Sequence, residues 1–539
     1  MSYYVKRKSR GHDYFFEVEG YREGGKVKQR VLRYFGRKDP RKHPYIKPIV
    51  KHPVRATYSF GDAALIFHCA KEIRLIETIN KYMPKRQGLS HGLMLFLLAA
   101  QRLCDNKPSS ERLERWCEST FLPKFLDFRM KKINKNTIGY TLDCITNQER
   151  NIDHTLRISQ ELYNAAHKKL GGKKEEIYFY DLTSTYFEGK CCPLARFGHN
   201  RDGLTDKLQI NIGMVVNKTF GLPLMTKVFE GNIHDGKTVY EMVYYAKFVM
   251  NKKKIMIIMD RGMDSEENVR LIDTTGDDYI LGMSSKHKFV SHLKNKTDPS
   301  TWRIKHISGK KIKLKKFTKN IFGKRRILVM YYNEEMAIQE QEAREHAIAC
   351  KTQELKDAKE LTLEKAKEIV KGFGKYILLQ ESDEEVEWKI DQVAINQKER
   401  TDGKFCIMTN KDLSAEDIFK LYFSKDKVEK GFRCMKQDLH LHPTRKTLSH
   451  RVRADVFVCH VGYLLLTLAL KLVQKEKINI FWDSLSTEMK EVRLLEYEKC
   501  CDNFYYDCVT NNRLQQNIVD KLHLNAYIPR EKVLAKRGV

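Results

Sequence analysis

Two aspartates stand in apolar surroundings that suit metal binding. Asp181 lies within Ile177–Gly189, where β-branched and aromatic residues predict a strand that the glycine ends. Asp260 directly follows Lys254–Met259, a second predicted strand. A carboxylate buried among apolar side chains costs free energy unless it is paired or holds a metal. Taken alone, Asp181 fits an edge strand with its carboxylate in water equally well.

A third carboxylate, Glu429, lies on a helix predicted late in the chain. Residues 414–417, Ser-Ala-Glu-Asp, match a capping box, so we expect a helix to begin there. At about 100° per residue, a helix through residues 421–439 turns one apolar stripe to the core, formed by Leu421, Val428, Phe432, Met435 and Leu439. An adjacent face carries Tyr422, Lys425, Glu429, Arg433 and Lys436. A solvated ladder of i,i+4 ion pairs explains that face as well.

Together the three carboxylates favour one kind of chemistry. Oxygen ligands without His or Cys suit Mg²⁺ or Mn²⁺. Two such ions shared by Asp181, Asp260 and Glu429 could activate a water or a 3′-hydroxyl and stabilise the leaving oxygen of a phosphodiester. The cations around Glu429 could hold the scissile phosphate. The sequence therefore predicts a two-metal phosphodiester site.

The composition favours a polyanion as partner. The 539-residue chain has 99 basic and 69 acidic residues, a formal charge of +30, and nucleic acid is the first candidate. Residues 1–55 contain 16 Lys/Arg against 5 Asp/Glu, a net +11, and eleven basic residues without an acid lie in Arg303–Arg326. The thirteen cysteines include no Cys-x-x-Cys pair, which argues against zinc and predicts reduced thiols.

One long apolar run needs a separate interpretation. Asp455–Val473 is short for a membrane span and contains Asp455 and His460, so it predicts a buried helix. The basic residues 6–8 are not followed by the apolar segment of a signal peptide. We therefore expect a cytoplasmic, nucleoid-associated protein that contacts no membrane.

The periodicity of apolar residues divides the chain into segments. Helical periodicity fills residues 56–172, and strand-like alternation begins near residue 175. Three strands, a helix, a strand, a helix and a strand then predict a mixed α/β sheet. The predicted segments are a basic β-hairpin arm (1–55), a helical domain (56–172), a first part of the sheet domain (173–285), a mostly β insertion (286–400), a second part of the sheet domain (401–475) and a C-terminal helical region (476–539).

Short blocks around the three acids resemble those of DDE transposases from prokaryotic insertion sequences. The branch with a β-rich insertion before the glutamate helix has the signature Tyr-x2-Arg-x3-Glu-x6-Lys. The same spacing occurs here in Tyr422, Lys425, Glu429 and Lys436. The two aspartate blocks match at Tyr180–Thr185 and Met259–Asn268, and weaker matches occur at residues 21–27, 34–37, 198–202, 206–209 and 229–235.

This resemblance implies an RNase H-like catalytic domain. Asp181, Asp260 and Glu429 would hold two Mg²⁺ or Mn²⁺ ions. Five further side chains would contact DNA phosphates: Tyr422, Lys425, Arg433, Lys436 and Arg261. Lys425 replaces the arginine usual in the family, which keeps the charge but loses the bidentate fork on phosphate.

The implied reaction is hydrolysis at a transposon end, which frees a 3′-hydroxyl that then attacks target DNA. The expected partners are the inverted-repeat ends, bound by the helical domain and the basic arm, and the target DNA. A homodimer would form the synaptic complex. Two alternatives stay open: an RNase H-like nuclease that cleaves without strand transfer, and an inactive DNA-binding descendant of a transposase.

Overall fold

The computed structural model describes residues 2–9, 11–23, 26–43, 54–173, 177–188, 191–198, 206–307, 309–358, 361–381, 386–499 and 503–529. These residues form two compact units. The first unit comprises Met1–Gly171, Asp438–His440 and Phe457–Val539, and the second comprises Gly172–Gln437 and Leu441–Val456. The predicted connecting block at residues 198–202 lies largely outside the described residues, as do Gly24 and Gly25 between the two predicted strands of the arm.

The strands are β1 (Ser2–Ser9), β2 (His12–Glu23), β3 (Lys26–Gly36), β4 (Val54–Ser59), β5 (Thr146–Asn147), β6 (Ile152–Asp153), β7 (Ile177–Tyr186), β8 (Gln209–Asn217), β9 (Pro223–Glu230), β10 (Met256–Met259), β11 (Asp278–Met283), β12 (Arg303–Ile307), β13 (Lys310–Ile321), β14 (Lys324–Tyr332), β15 (Ile377–Glu381), β16 (Val386–Ile390), β17 (Lys404–Thr409), β18 (Arg493–Lys499) and β19 (Asn503–Val509).

The α-helices are α1 (Gly61–Glu72), α2 (Leu75–Tyr82), α3 (His91–Cys104), α4 (Leu113–Glu118), α5 (Leu122–Leu126), α6 (Lys135–Ile145), α7 (Thr155–Lys169), α8 (Val239–Met250), α9 (Glu266–Thr275), α10 (Lys288–Lys296), α11 (Glu334–Asp357), α12 (Leu363–Ile369), α13 (Gln392–Glu399), α14 (Ala415–Phe423), α15 (Asp426–Lys436), α16 (Ser449–Lys475), α17 (Trp482–Glu491) and α18 (Arg513–Lys521).

In the first unit, the basic arm is an antiparallel sheet of three strands in the order β1-β2-β3. The two strands predicted for the arm correspond to β2 and β3, and β1 adds a third strand in front of them. Strand β1 was not predicted, because almost all of its residues are exposed and it has no buried apolar face. Phe15, Val18 and Phe35 are the buried apolar residues of this small sheet.

The C-terminal segment of the first unit differs from its prediction as a helical region. Between α17 and α18, β18 pairs with β4 and with β19, giving a sheet in the order β19-β18-β4. Leu494 and Tyr497 of β18 are buried, and so is the charged Glu496. Lys124 forms an ion pair with this glutamate at 2.5 Å. Strand β18 was not predicted because its charged residues interrupt the apolar pattern typical of a strand.

In the second unit, a mixed sheet of nine strands has the order β12-β13-β14-β17-β11-β10-β7-β8-β9. Strands β7, β8 and β9 are antiparallel neighbours, whereas β10 runs parallel to both β7 and β11. Helices α8 and α9 connect β9 to β10 and β10 to β11. The predicted mixed α/β sheet is thus confirmed.

The segment predicted as a separate, mostly β insertion is organised differently. Strands β12, β13 and β14 extend the main sheet, since β14 pairs with β17 along Ile327–Tyr332. Leu328, Val329 and Met330 are consecutive and all fully buried, as expected of a strand inside a covered sheet. Residues 334–399 form α11, α12, the β15–β16 hairpin and α13 around a core of their own, which includes Ile348, Leu355, Ala366, Val370, Tyr376, Ile377 and Ile395. This part is mainly helical.

Helix α16 contains the long apolar run. By length and composition it could cross a membrane, with a mean hydropathy of 2.1 over its most apolar window, but 89% of that window is buried inside the protein. Asp455 and His460 are buried within it. The prediction of a buried helix is therefore confirmed.

Candidate active site

The pairing of β7 with β10 brings the two aspartates to the same height of the sheet. In this parallel pair, Met256 lies opposite Ile177 and Ile258 opposite Phe179. Asp181 is two residues beyond Phe179 in β7, and Asp260 is two residues beyond Ile258, immediately after β10. Neighbouring strands lie about 4.8 Å apart, and residues level with each other point to the same face. Each aspartate therefore follows the last paired residue of its strand by the same two positions.

The Asp260 carboxylate is held by three donors, all on its Oδ1 atom. The Arg261 backbone N–H donates at 2.8 Å, the Tyr422 hydroxyl at 2.9 Å, and the Lys425 ammonium lies at 3.0 Å. Burial alone would raise the pKa of Asp260, but the Lys425 charge and these hydrogen bonds outweigh it, so the pKa lies below its usual value. Asp260 is therefore an ionised acceptor at neutral pH.

The helix that carries Glu429 is not continuous. Two helices, α14 and α15, replace the single helix predicted through residues 421–439, with a break at Ser424 and Lys425. At the break, the Ser424 hydroxyl donates to the Leu421 carbonyl at 2.8 Å, a local bond that competes with the helical pattern. The predicted start is confirmed, because Ser414 caps α14 by accepting from the Asp417 N–H.

The break directs Lys425 between two of the three acids. Its ammonium lies 3.0 Å from Asp260 Oδ1 and 3.7 Å from Glu429 Oε1. Only 17% of the Lys425 side chain is exposed, against 38% for Asp260 and 56% for Glu429. Helix α15 also packs on β7, the strand of Asp181. One ammonium thus joins the second and third acids, next to the strand that contains the first.

Tyr422 is buried beside Asp260. Only 7% of the residue is exposed, and burial together with the Asp260 charge raises the pKa of its hydroxyl, which keeps the donor proton in place. Gly282 of β11 leaves the space for this hydroxyl, because a Cβ at that position would collide with it. The predicted phosphate contact of Tyr422 stays a prediction; the contact observed is with a carboxylate.

The remaining predicted DNA-binding side chains lie around this centre. Arg261 and Arg433 are exposed, and Lys436 is partly buried in the last turn of α15. Val428, Phe432 and Met435 of the predicted apolar stripe are buried, while Leu421 is only partly so. The helix therefore buries its apolar face, and on the adjacent face Glu429 and Arg433 are exposed.

Two further acids, Asp264 and Asp235, fix the turn after Asp260 and were not predicted as functional residues. Asp264 Oδ2 accepts from the Ser284 N–H at 2.6 Å and lies 3.2 Å from His287 Nε2. Asp235 packs against Gly262, where a Cβ would lie 2.7 Å from its Oδ2. Both acids lie in sequence blocks that resemble those of the family. That position was the one sequence signal that could have identified them.

The donor set fits a divalent metal ion chemically. Among the described residues, no three His, Cys, Asp or Glu side chains already converge closely enough to hold a metal. However, two of the three carboxylates already share one cation, the Lys425 ammonium. All three are oxygen donors of the kind that Mg²⁺ and Mn²⁺ prefer. Asp181, Asp260 and Glu429 therefore stay the predicted metal ligands.

Family models match two parts of this chain. The transposase DDE domain matches residues 173–465, which include all three acids, and the N-terminal domain of IS1634 family transposases matches residues 4–56. The chain belongs to the insertion-sequence DDE transposases. The resemblance deduced from the sequence blocks is therefore confirmed, and transposases of this family generally use divalent metal ions.

Among solved structures, the transposase is similar to one described as the cryo-EM structure of the piggyBac transposase synaptic complex with hairpin DNA. The two share 9% sequence identity and a TM-score of 0.41, over 81% of each chain. No curated protein matches the chain.

Proposed function

We propose that this transposase binds the inverted-repeat ends of its element, cleaves the DNA there by metal-assisted hydrolysis, and joins the freed 3′-hydroxyl to target DNA. The observation that carries the proposal is the arrangement of Asp181 and Asp260 at one height of the sheet, with Glu429 linked to Asp260 through Lys425. The strand order β9-β8-β7-β10-β11 supports an RNase H-like arrangement of the sheet core.

In this proposal, each side chain of the centre has a separate task. Asp181, Asp260 and Glu429 would bind two Mg²⁺ or Mn²⁺ ions, which, when bound, lower the pKa of a nucleophilic water and stabilise the leaving oxygen. Tyr422 orients Asp260 through its hydrogen bond and is a positioning residue. Lys425 would bind a phosphate of the DNA end.

Cations beyond Lys425 extend this phosphate-binding surface. The candidates are Arg433 and Lys436, which share α15 with Glu429, and Arg261, which directly follows Asp260. Removing any one of them should weaken DNA binding and leave the carboxylates in place.

Two basic surfaces support DNA as the partner. The three-stranded arm belongs to a segment with a net charge of +11, and β13 exposes Lys311, Lys316 and Lys319. Contacts between such surfaces and phosphates release counterions, so binding should weaken steeply with salt. We further propose that a homodimer brings two ends together, on DNA of the nucleoid in the cytoplasm.

The test neutralises each carboxylate without changing its size. Asp181→Asn, Asp260→Asn and Glu429→Gln should each reduce cleavage of an end-bearing duplex in Mg²⁺ to background. They should also abolish joining of a pre-cleaved 3′-hydroxyl end, because one centre would perform both steps. Binding to the duplex in a gel should persist. Asp426→Asn and Glu266→Gln, which alter solvent-accessible acids with their own ion-pair partners, are the matched controls.

Each outcome decides a specific point. Normal cleavage by one of the three variants would remove that residue from the catalytic set. If the wild type cleaves but never joins, the nuclease alternative replaces strand transfer. If the wild type binds ends without cleaving or joining, the inactive DNA-binding alternative holds.

A further inference from the structure

Lys425 makes a contact that phosphate binding does not require. Its ammonium is directed at Asp260 Oδ1 and Glu429 Oε1, two acids that would both bind metal under the proposed function. Lys430, in the second turn of α15, pairs with Asp426 and is 63% exposed. Lys425, at 17%, is much more enclosed.

We propose that Lys425 is an internal counter-cation of the metal site. In the metal-free protein its ammonium takes the place of a divalent cation between Asp260 and Glu429, and metal binding displaces it toward the DNA phosphate. The inference rests on the proposed function and adds to it a competition between a side chain and the metal.

Electrostatics favours a cation at this position. Carboxylates that converge on one position repel each other, and without a counter-charge the repulsion disfavours their ionised forms. The Lys425 ammonium supplies a positive charge from within the chain. A lysine suits an exchangeable role because its charge is compact, strongly hydrated and carried on a flexible four-carbon stem.

This competition couples metal binding to DNA binding. A metal ion must displace the ammonium, so Lys425 lowers the metal affinity of the free protein. A DNA phosphate that attracts the ammonium removes the competitor and raises the metal affinity. By thermodynamic linkage, metal must strengthen the Lys425–phosphate contact by the same factor. Lys425 would thereby favour loading of metal where DNA is already bound.

The test measures Mn²⁺ binding by the full-length protein without DNA, using the electron paramagnetic resonance signal of free Mn²⁺. Lys425→Met should bind Mn²⁺ on the order of tenfold more tightly than the wild type, because a unit charge within a few ångströms of the ion is removed. Lys430→Met is the matched control and should be unchanged. Asp260→Asn should bind Mn²⁺ weakly. A short end-bearing duplex should raise the wild-type affinity more than that of Lys425→Met.

A second measurement uses only the wild type and so does not depend on the folding of a variant. Acetylation of lysine amines, followed by mass spectrometry, should modify Lys425 severalfold faster once Mn²⁺ is added, while modification of Lys430 should not change. This result is expected because displacement moves the ammonium into solvent.

The possible failures are distinguishable. Suppose that Mn²⁺ binding depends on Asp260, but that Lys425→Met binds Mn²⁺ no more tightly than the wild type and Mn²⁺ does not change the acetylation rate of Lys425. The counter-cation role is then wrong, and the proposed metal site is retained. If neither the wild type nor Lys425→Met binds Mn²⁺ through Asp260 and Glu429, the proposed metal site itself is wrong.

Discussion

Two aspartate–cation pairs in the same unit illustrate two uses of one interaction. Asp273 of α9 is held by Arg326 of β14, whose Nη1 lies 2.8 Å from Oδ1 and whose Nη2 contacts Oδ2. The side chains are only 7% and 1% exposed. Asp260 is held by Lys425 on a single oxygen, with exposures of 38% and 17%.

In both pairs the cation keeps the aspartate ionised. Burial raises the pKa of each carboxyl, and the partner's charge and hydrogen bonds lower it by more. The difference lies in how replaceable the cation is. A guanidinium fork on both oxygens is fixed in geometry, whereas one ammonium on one oxygen can be exchanged. The first pair therefore stabilises the fold, and under the proposed function the second takes part in the chemistry.

The largest expected effect is the loss of the buried pair. Arg326→Met removes the guanidinium from the buried Asp273 and leaves it only the more distant, exposed Lys324 ammonium, which should lower the free energy of unfolding by an amount near the lower end of about 3–5 kcal/mol. Lys425→Met should cost less than about 1 kcal/mol, because its carboxylate partners are more exposed. Urea unfolding of both variants measures the contrast, and Lys324→Met, which removes an exposed lysine 3.6 Å from Asp273, is the control. Equal losses for Arg326 and Lys425 would contradict the comparison.

The Asp273–Arg326 pair should make the free energy of unfolding depend on pH in the acid range. The pKa of Asp273 in the folded protein lies below its ordinary value of 3.8, so the unfolded chain binds a proton first as pH falls. Its contribution is fully present above about pH 4 and is lost as the pH falls through the lower, folded-state pKa. Arg326→Met should flatten that part of the stability–pH curve. An unchanged slope in acid unfolding would show that Asp273 does not depend on Arg326.

A smaller loss should follow from filling the space beside Tyr422. Gly282→Ala adds a methyl group that collides with the Tyr422 hydroxyl and approaches the Arg261 backbone N to 3.2 Å. Overpacking of this kind costs about 1–3 kcal/mol, and here it displaces two of the three donors to Asp260. We expect the rate of DNA cleavage to fall by more than the loss of folded protein explains. Gly374→Ala, where a Cβ meets nothing within 4 Å, should change neither, and equal activity of the two variants would remove Gly282 from the site.

Tyr422→Phe separates the two roles considered for this tyrosine. If the hydroxyl positions Asp260, its loss removes one hydrogen bond to a charged group, an effect of about 1.5 kcal/mol or roughly tenfold in cleavage rate, while end binding is unchanged. If it contacts phosphate instead, the affinity for the end-bearing duplex should fall. Kinetics and gel shift on the same protein distinguish the two, with the exposed Tyr244→Phe as control.

Much of the fold could be predicted because the sequence signals were local. The apolar runs before Asp260 and around Asp181 predicted their strands, and Ser414 predicted the start of α14 from its capping pattern. The break at Ser424 could not be predicted, since no glycine or proline marks it and a serine hydroxyl bond to Leu421 decides it.

Contacts between residues far apart in the chain were the second feature that could not be predicted from the sequence. The residues of β14 do not indicate that the strand pairs with β17, which lies more than seventy residues later in the chain. Strand β14 was therefore assigned to an insertion. Tyr422 lies on the polar face in a helical projection, but its burial depends on Gly282 in a distant strand. The joint function of the three acids remains a prediction, because it depends on such partners and on ions.

The smallest expected change comes from giving the Asp260–Lys425 pair the guanidinium of the Asp273–Arg326 pair. Lys425→Arg keeps the positive charge beside Asp260 and Glu429, so stability should change by less than about 1 kcal/mol and end cleavage should be retained at saturating Mg²⁺. The guanidinium fork can occupy both carboxylate oxygens and is harder to displace, so the Mg²⁺ concentration for half-maximal cleavage should rise severalfold. Arg326→Lys is the reciprocal variant and should weaken the fold without moving that concentration. A Lys425→Arg protein that needs less Mg²⁺ than the wild type would show that exchangeability of the cation does not distinguish the two pairs.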